Sequence, residues 1–332
     1  MRMKLLPWIA FVAAGCALAQ EPTLIEVRKI WDQGPHNAFT DLIWFRGKFF
    51  CTFREGEGHV GGDGMIRVLS SKNGQSWQAT ALLKEEGIDL RDPKFSITPD
   101  GRLMIVAGGS VYRGGRKMLG RQPRVSFSRD GSNWSPPQRV MTEGDWLWRV
   151  TWHQGKAYGV SYNSMLGEDR DWGLKLVVSV DGIHYTDVAK LEVPGRPNET
   201  TIRFQNDGTM VALVRREGTP EHEPMAWIGV SRPPYTEWTW KETDMQVGGP
   251  NFLILPGGAM WAVTRDYTRK PQYTTVLARM DLASLTPALT LPSGGDTSYG
   301  GLVWRQNLLW ISYYSGHEGK DSIYLAKVRL PK

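Results

Sequence analysis

Cysteine is nearly absent from this sequence. Two of its 332 residues are Cys. Cys16 lies within the N-terminal stretch 1–19, which leaves Cys51 as the one thiol in the body of the chain. A lone thiol makes no internal disulfide and no thiolate metal centre. Long hydrophobic runs are lacking as well. The stretch from Leu5 to Ala14 is far short of the roughly 20 apolar residues a membrane helix needs, so no membrane span is expected. Long helical periodicities are hard to find. There is no Lys/Arg-rich block and no aromatic RNA-binding motif, and a net charge of +6 is mild. Nucleic acid is therefore set aside as a partner. A mildly basic protein favours acidic substrates instead. No linker rich in Pro, Ser or charge divides the chain, so one domain over residues 20–332 is expected, as a monomer.

What is abundant is Trp (15) and Gly (37), in a chain that is 41% hydrophobic. That composition points to an all-β protein long enough to bury a large core. Residues 1–19 have the form of a secretory signal: Arg2 and Lys4, the apolar run, then Ala17-Leu18-Ala19 as a small-residue cleavage site. A secreted or periplasmic location is expected, with a lipid anchor at Cys16 as the alternative.

Hairpin signals recur along the remainder. They are Phe45-Arg46-Gly47-Lys48, Pro99-Asp100-Gly101, His153-Gln154-Gly155-Lys156, Asn206-Asp207-Gly208, Pro256-Gly257-Gly258 and Arg305-Gln306-Asn307. Each is flanked by alternating apolar residues. Their spacing of about 50 residues is that of propeller blades. Six turns predict a six-bladed β-propeller with four antiparallel strands per blade. The blades are expected at residues 39–80, 92–140, 146–191, 199–243, 251–290 and 299–329. The lone β-prone run Thr23 to Trp31 is expected to pair with the last blade and close the ring.

A second signal follows the first hairpin in several units. Ser71 to Trp77, Ser128 to Trp134 and Ser179 to Tyr185 fit Ser-x-Asp/Asn-Gly-x-x-aromatic, and Ser231 to Trp238 is a degraded copy. The Asx side chain can bond backbone N–H groups within the turn, and Gly supplies a positive φ. These are structural staples between the third and fourth strands.

In an up-and-down blade the start of strand one and the end of strand two share a face, opposite the staples. That face collects His36, Asn37, Asp41, Arg91, Asp92, Trp146, Trp148, Glu199, Asn251, Asp296 and Tyr299 from strand-one starts. Strand-two ends add Arg54, Glu55, Glu57, His59, Tyr112, Arg113, Tyr162, Arg215, Arg265, Tyr313, Tyr314, His317 and others. Ionisable groups converging in one cleft make a candidate site.

With these residues in place, the chain resembles the sialidase superfamily of six-bladed propellers. The staples are similar to its Asp-box (BNR) repeats. In sialidases a Glu opens the fourth blade and an Arg ends the second strand of the same hairpin, as Glu199 and Arg215 do here. Ser298-Tyr299-Gly300-Gly301-Leu302 resembles the segment carrying the catalytic tyrosine, and Arg265, ahead of Arg269, is similar in placement to the fifth-blade arginine. The first blade departs from the family. It reads His36-Asn37-Ala38-Phe39 where sialidases have Arg-Ile-Pro, and Arg54 stands nearby as a replacement. The loop that carries the family's acid offers Glu57, His59 and Asp63.

The resemblance implies a phenol nucleophile, Tyr299, activated by Glu199. Sialic acids carry a carboxylate on the anomeric carbon, which repels an anionic nucleophile; a phenol deprotonated by its neighbour avoids that cost. Arg54, Arg215 and Arg265 would grip the carboxylate in pairs of hydrogen bonds. Asp92, held extended by Pro93, is either the general acid or the ion-pair partner of Arg91. Glu57, flanked by Gly56 and Gly58, is a second catalytic candidate. Arg91, His36, Asp41, His59, Asn251, Tyr314 and His317 complete the expected substrate-binding set. His36, His59 and His317 have no short-range ligand spacing, so neither metal nor cofactor is expected. The reading is a secreted exo-acting glycoside hydrolase of sialidase type, acting on a terminal acidic sugar of a glycan. A propeller polysaccharide lyase acting on uronates and a non-catalytic glycan-binding propeller are the alternatives.

Overall fold

In the computed structural model, residues 21–62, 64–114, 117–164 and 172–331 are described. The expected leader, with Cys16, and Asp63 lie outside them. The described residues form strands and no helix, and none is long and apolar enough to cross a membrane as a helix. β1 (Thr23–Trp31) precedes six blades. Blade 1 is β2 (His36–Phe45), β3 (Lys48–Gly56), β4 (Met65–Ser71) and β5 (Gln78–Leu83). Blade 2 is β6 (Asp89–Ile97), β7 (Leu103–Arg113), β8 (Lys117–Ser128) and β9 (Gln138–Arg139). Blade 3 is β10 (Trp146–His153), β11 (Lys156–Asn163), β12 (Gly173–Ser179) and β13 (Tyr185–Leu191). Blade 4 is β14 (Pro197–Phe204), β15 (Met210–Arg216), β16 (Met225–Ser231) and β17 (Thr239–Gln246). Blade 5 is β18 (Asn251–Ile254), β19 (Met260–Asp266), β20 (Thr274–Met280) and β21 (Leu285–Thr290). Blade 6 is β22 (Thr297–Arg305), β23 (Leu308–Ser315) and β24 (Ser322–Arg329), completed by β1.

The expected six-bladed architecture is therefore the observed one. All six hairpins form at the turns read from the sequence, from Phe45↔Lys48 in blade 1 to Arg305↔Leu308 in blade 6. β1 pairs antiparallel with β24, Thr23 opposite Arg329, and closes the ring. Four innermost strands start earlier than expected, β6 at Asp89 rather than Asp92. The innermost strands touch their neighbours all round, and β22 returns to β2.

The staple turns lock blade to blade. Asp130 Oδ1 accepts from the backbone N of Ser132 and Asn133, both at 2.8 Å, and Trp134 Nε1 donates to Gly131 O at 3.1 Å. Asn73 and Asp181 do the same in their blades. A Cβ on Gly131 (φ 79°) would lie 2.2 Å from Cε1 of Phe50 in blade 1, so the glycine is needed for close approach as well as conformation. Blade 5 has a shorter device that does not fit the Ser-x-Asp/Asn-Gly motif: Asp281 Oδ1 accepts from Ala283 N and Ser284 N. Cys51 is fully buried, and burial pushes its thiol far up, which makes it a packing residue.

Candidate active site

Each innermost strand carries the same irregularity near its start. Phe39 and Thr40 together stand opposite one residue of β3, because Ala38 pairs with Arg54 and Asp41 with Thr52. The same two-against-one step occurs at Asp92-Pro93, Trp148-Arg149, Asn198-Glu199 and Tyr299-Gly300. In blade 5, Arg265 N bonds Gly248 O while Asn251 pairs with Val263, which is the same step at Gly249-Pro250. Such bulges bend a strand and re-aim its side chains. Phe39 (φ 64°), Asp92 (50°), Gly249 (61°) and Tyr299 (53°) take left-handed backbone at this step. Three of them are not glycine, at a cost of roughly 1–2 kcal/mol each, and strain of that kind gathers at functional sites.

Tyr299 reaches across the axis. It comes from blade 6, yet its Oη donates to Glu199 Oε1 of blade 4 at 2.6 Å, and its ring stands 5.6 Å from Trp148 of blade 3 and 5.0 Å from Phe39 of blade 1. Arg215 Nη1 bonds Glu199 Oε2 at 2.8 Å and Tyr299 Oη at 3.2 Å, while Nη2 holds Glu217 at 2.7 Å. Gly249 N also donates to Glu199 Oε2, at 2.8 Å. Burial alone would raise the Glu199 carboxyl. The Arg215 charge and these hydrogen bonds outweigh it and hold the carboxyl below its ordinary value. Burial and the Glu199 charge push the Tyr299 phenol well above its own, against the opposing pull of Arg215. At rest the proton therefore sits on Tyr299, directed at a carboxylate.

The second blade supplies the other wall. Arg91 Nη1 donates to Tyr112 Oη at 3.1 Å, and its guanidinium lies 5.1 Å from the Phe39 ring centre. Asp92 is buried with Oδ1 unpartnered, and burial raises its carboxyl against the charges of Arg91 and Lys94. Lys94 joins this wall without a signal in the local sequence. It is 1% exposed, donates to Thr40 O at 3.1 Å and lies 4.8 Å from the Trp148 ring and 5.5 Å from that of Tyr299. Strict alternation from Asp92 would have put Lys94 on the same side without saying which side is inside; the bulge at Asp92-Pro93 decides it. Burial, and then Arg149, pushes the Lys94 ammonium down to about 8.

On the blade 5 and 6 side, Arg265 donates from Nε to Thr297 O at 2.9 Å and from Nη2 to Asp296 Oδ1 at 3.0 Å and Tyr314 Oη at 3.1 Å. Its guanidinium stands 5.9 Å from the Tyr299 ring centre. No partner for its Nη1 is found among the described residues. Exposure is graded inward: 48% for the side chain of His59, 15% for Arg215, 7% for Glu199.

Several expected site residues take other roles. Arg54 is not in the cleft: its side chain is fully buried, with Nε on Asp89 at 2.7 Å and Nη1 on Gly58 O, so it anchors the loop after β3. Asp41 is buried between blades, accepting from Arg149 Nη1 at 2.8 Å and Phe95 N at 2.7 Å. Asn251 bridges Arg203 and Gly300 O inside the ring. Tyr314 is fully buried and gives its hydroxyl to Asp296 at 2.6 Å, so it orients Asp296 and Arg265 instead of touching a ligand. His317 packs on Tyr324 at the rim, apart from His36 and His59. Glu57 is exposed on the loop after β3. What separates Arg54 from Arg91 and Arg265 is burial against a partner, which has no signature in the local sequence. A concavity of about 570 Å³ on blade 3 lies off the axis, and its Lys175 is already held by Asp145 at 3.5 Å and Asp187 at 3.4 Å.

Among solved structures, a Dyadobacter fermentans protein of unknown function superposes with a TM-score of 0.81 at 19% identity, covering 94% of this chain and 100% of that one. The GH93 α-L-arabinofuranosidase of Fusarium graminearum, solved with arabinobiose, gives 0.70 at 15%, covering 92% and 98%. The fold is the sialidase-type propeller. Trypanosoma rangeli sialidase, solved with the inhibitor DANA, gives 0.69 at 11% identity, covering 93% of this chain and 60% of the sialidase. No protein-family model and no curated protein sequence matches the chain. At these identities the likeness is one of fold.

Proposed function

We propose that the protein is a glycoside hydrolase that releases a terminal acidic sugar from glycans through a covalent intermediate on Tyr299. The observation that carries this reading is the 2.6 Å bond from Tyr299 Oη to Glu199, with Arg215 bonded to both residues. In the first step Oη attacks the anomeric carbon and its proton passes to Glu199. The glycosidic bond breaks, and the leaving oxygen takes a proton from Asp92, whose carboxyl burial raises above its ordinary value. In the second step water attacks the same carbon. The bond from that carbon to Oη breaks, one proton of the water returns Asp92 to the acid form, and Glu199 returns its proton to the released phenolate. Arg215 stabilises the developing phenolate, and Arg215, Arg265 and Arg91 supply the positive charge that an acidic sugar needs. The sharing of this fold with an arabinofuranosidase and a sialidase supports glycoside chemistry. The leader read from the sequence would carry the enzyme to exported glycans.

The experiment is a screen of glycans and aryl glycosides with released sugars identified by mass. Tyr299→Phe is expected to fold and to lose turnover by about 10³-fold or more, with Glu199→Gln falling in parallel. The double variant should be little worse than either, because groups acting as a unit are not additive. A glycosyl adduct on Tyr299 should be trapped with a slow substrate. Wild-type turnover in Tyr299→Phe would sink the covalent reading, and an ultraviolet-absorbing unsaturated product would assign elimination instead.

A further inference from the structure

We propose that His36, His59 and Asp296, with Asp321 beside His36, form a binding site for a divalent transition metal, with Zn²⁺ as the ion the three ligands suit. One ligand atom each from His36, His59 and Asp296 lies within 4.8 Å of the others. Asp296 Oδ2 is 3.6 Å from His36 Nε2 and 2.5 Å from His59 Nδ1, and Asp321 Oδ2 is 3.3 Å from the same His36 nitrogen. Zinc binds such nitrogen and oxygen donors at about 2.0–2.2 Å in a tetrahedron, which sets neighbouring donors roughly 3.3–3.6 Å apart. The distances from His36 to both carboxylates already have that value. His59 stands closer, hydrogen-bonded directly to Asp296. It would have to move back by about 1 Å to admit an ion. Its side chain is half exposed on the loop after β3, so that movement disturbs little packing.

The outer contacts fit this use. Asp296 is oriented through its other oxygen, Oδ1, by Tyr314 Oη at 2.6 Å and Arg265 Nη2 at 3.0 Å, which leaves Oδ2 to the cluster. Ligating carboxylates are characteristically held this way. Asn37 fixes the Asp321 loop, donating from Nδ2 to Asp321 O at 2.8 Å and from its own backbone N at 3.3 Å. The cluster thus gathers two carboxylates on one buried imidazole, with Arg265 as the cation on one of them. Zinc ahead of Ca²⁺ or Mg²⁺ follows from the two imidazoles, since those ions take oxygen ligands. One feature works against tight binding. His36 Nδ1 is buried without a partner, and a metal on Nε2 would place the ring proton there. Loss of such an outer-shell bond weakens a site by roughly 10–100-fold, so modest affinity is expected. A bound ion would also put positive charge on the first-blade wall, from which Arg54 is withdrawn. That consequence rests on the glycosidase reading; the binding does not.

The test uses the full chain, stripped with EDTA and titrated calorimetrically with Zn²⁺. One ion per chain is expected, with His59→Ala and Asp296→Asn each weakening uptake by at least about tenfold. Co²⁺ loading should give the intense visible bands of a tetrahedral site, absent in His59→Ala. His59 is exposed, so that variant decides the matter even where Asp296→Asn fails to fold. No uptake by the wild-type chain overturns the proposal. Equal uptake by wild type and His59→Ala overturns it too, since the ion would then sit elsewhere.

Discussion

Arg215 spreads one planar guanidinium over three oxygens, those of Glu199, Tyr299 and Glu217. A lysine offers a point charge and cannot hold all three. Losing one hydrogen bond to a charged group costs about 1.5–3 kcal/mol, so Arg215→Lys should lower kcat/KM by roughly 10- to 150-fold. Its pH profile should change as well. After the opposing effect of burial, the Arg215 charge is the main influence on Glu199, and it holds that carboxyl down. Weakening it lets Glu199 protonate at higher pH, so the acid limb of kcat/KM should move upward. An unmoved acid limb would remove Glu199 as the base. Lys94 gives a second pH test, through stability. Its folded-state value is pushed down from 10.5 to about 8. The cost of burying its charge is therefore fully present below about pH 8 and is relieved as pH rises toward 10.5. Lys94→Met should be the more stable protein at pH 7, by on the order of 3 kcal/mol, and lose that advantage by pH 10.5. Denaturant melts of both proteins at the two pH values decide it; an equal difference at both would show that Lys94 is not buried charged.

At the scale of the element, turns and bulges behave differently. A turn is a local object. Asn206-Asp207-Gly208 needs only a residue that tolerates positive φ and an Asx side chain, and Asp207 Oδ1 does accept from Thr209 N at 2.9 Å. The six hairpins and the first three staples could therefore be read from residue types alone. The same backbone conformation has different consequences by location. Gly208 (φ 83°) has nothing within 4 Å of a built Cβ, whereas Gly131 (φ 79°) would drive one into Phe50. Gly208→Ala should cost about 1–2 kcal/mol, the left-handed penalty alone. Gly131→Ala adds a clash between blades and should cost severalfold more. Urea midpoints compare them directly, and equal midpoints would mean the staple does not lock the blades. The bulges carry no such local signature. Phe39 and Tyr299 are poor choices for positive φ by sequence rules, Asp92 a more tolerant one, and the innermost strands of their three blades take it all the same. Their conformation is imposed by convergence on the axis.

The whole molecule depends on closure. β1 is far from β24 in sequence and completes its blade, with Lys327 Nζ on Glu26 at 2.8 Å and Trp31 Nε1 on Glu55 of blade 1 at 2.6 Å. Deleting residues 21–32 leaves β24 as a bare edge and unlatches blade 6 from blade 1. The shortened chain should lose cooperative unfolding or soluble yield. Because Thr23 lies opposite Arg329, the deleted segment moved behind residue 332 through a short turn should pair as a hairpin and restore the melt. A truncated chain that melts like the full one would show that the ring does not need this strand.

The sequence by itself determined the fold class, the six repeats, the strand that closes them, the staples, and the end of the barrel of blades at which polar groups gather. Turn chemistry and the alternation of side chains act within a few residues, so they are legible one segment at a time. The pairing of Tyr299 with Glu199 was also within reach, because both open innermost strands and those strands converge. Which cations face the axis was decided only by the tertiary structure. Arg54 and Arg215 both lie near the end of the second strand of a blade. Arg54 is taken up by Asp89, 35 residues away, while Arg215 is shared with Tyr299, 84 residues away. His59 meets Asp296 across 237 residues of chain. Desolvation and charge pairing depend on who the neighbours are, and in a closed ring the neighbours that matter at the axis come from different blades.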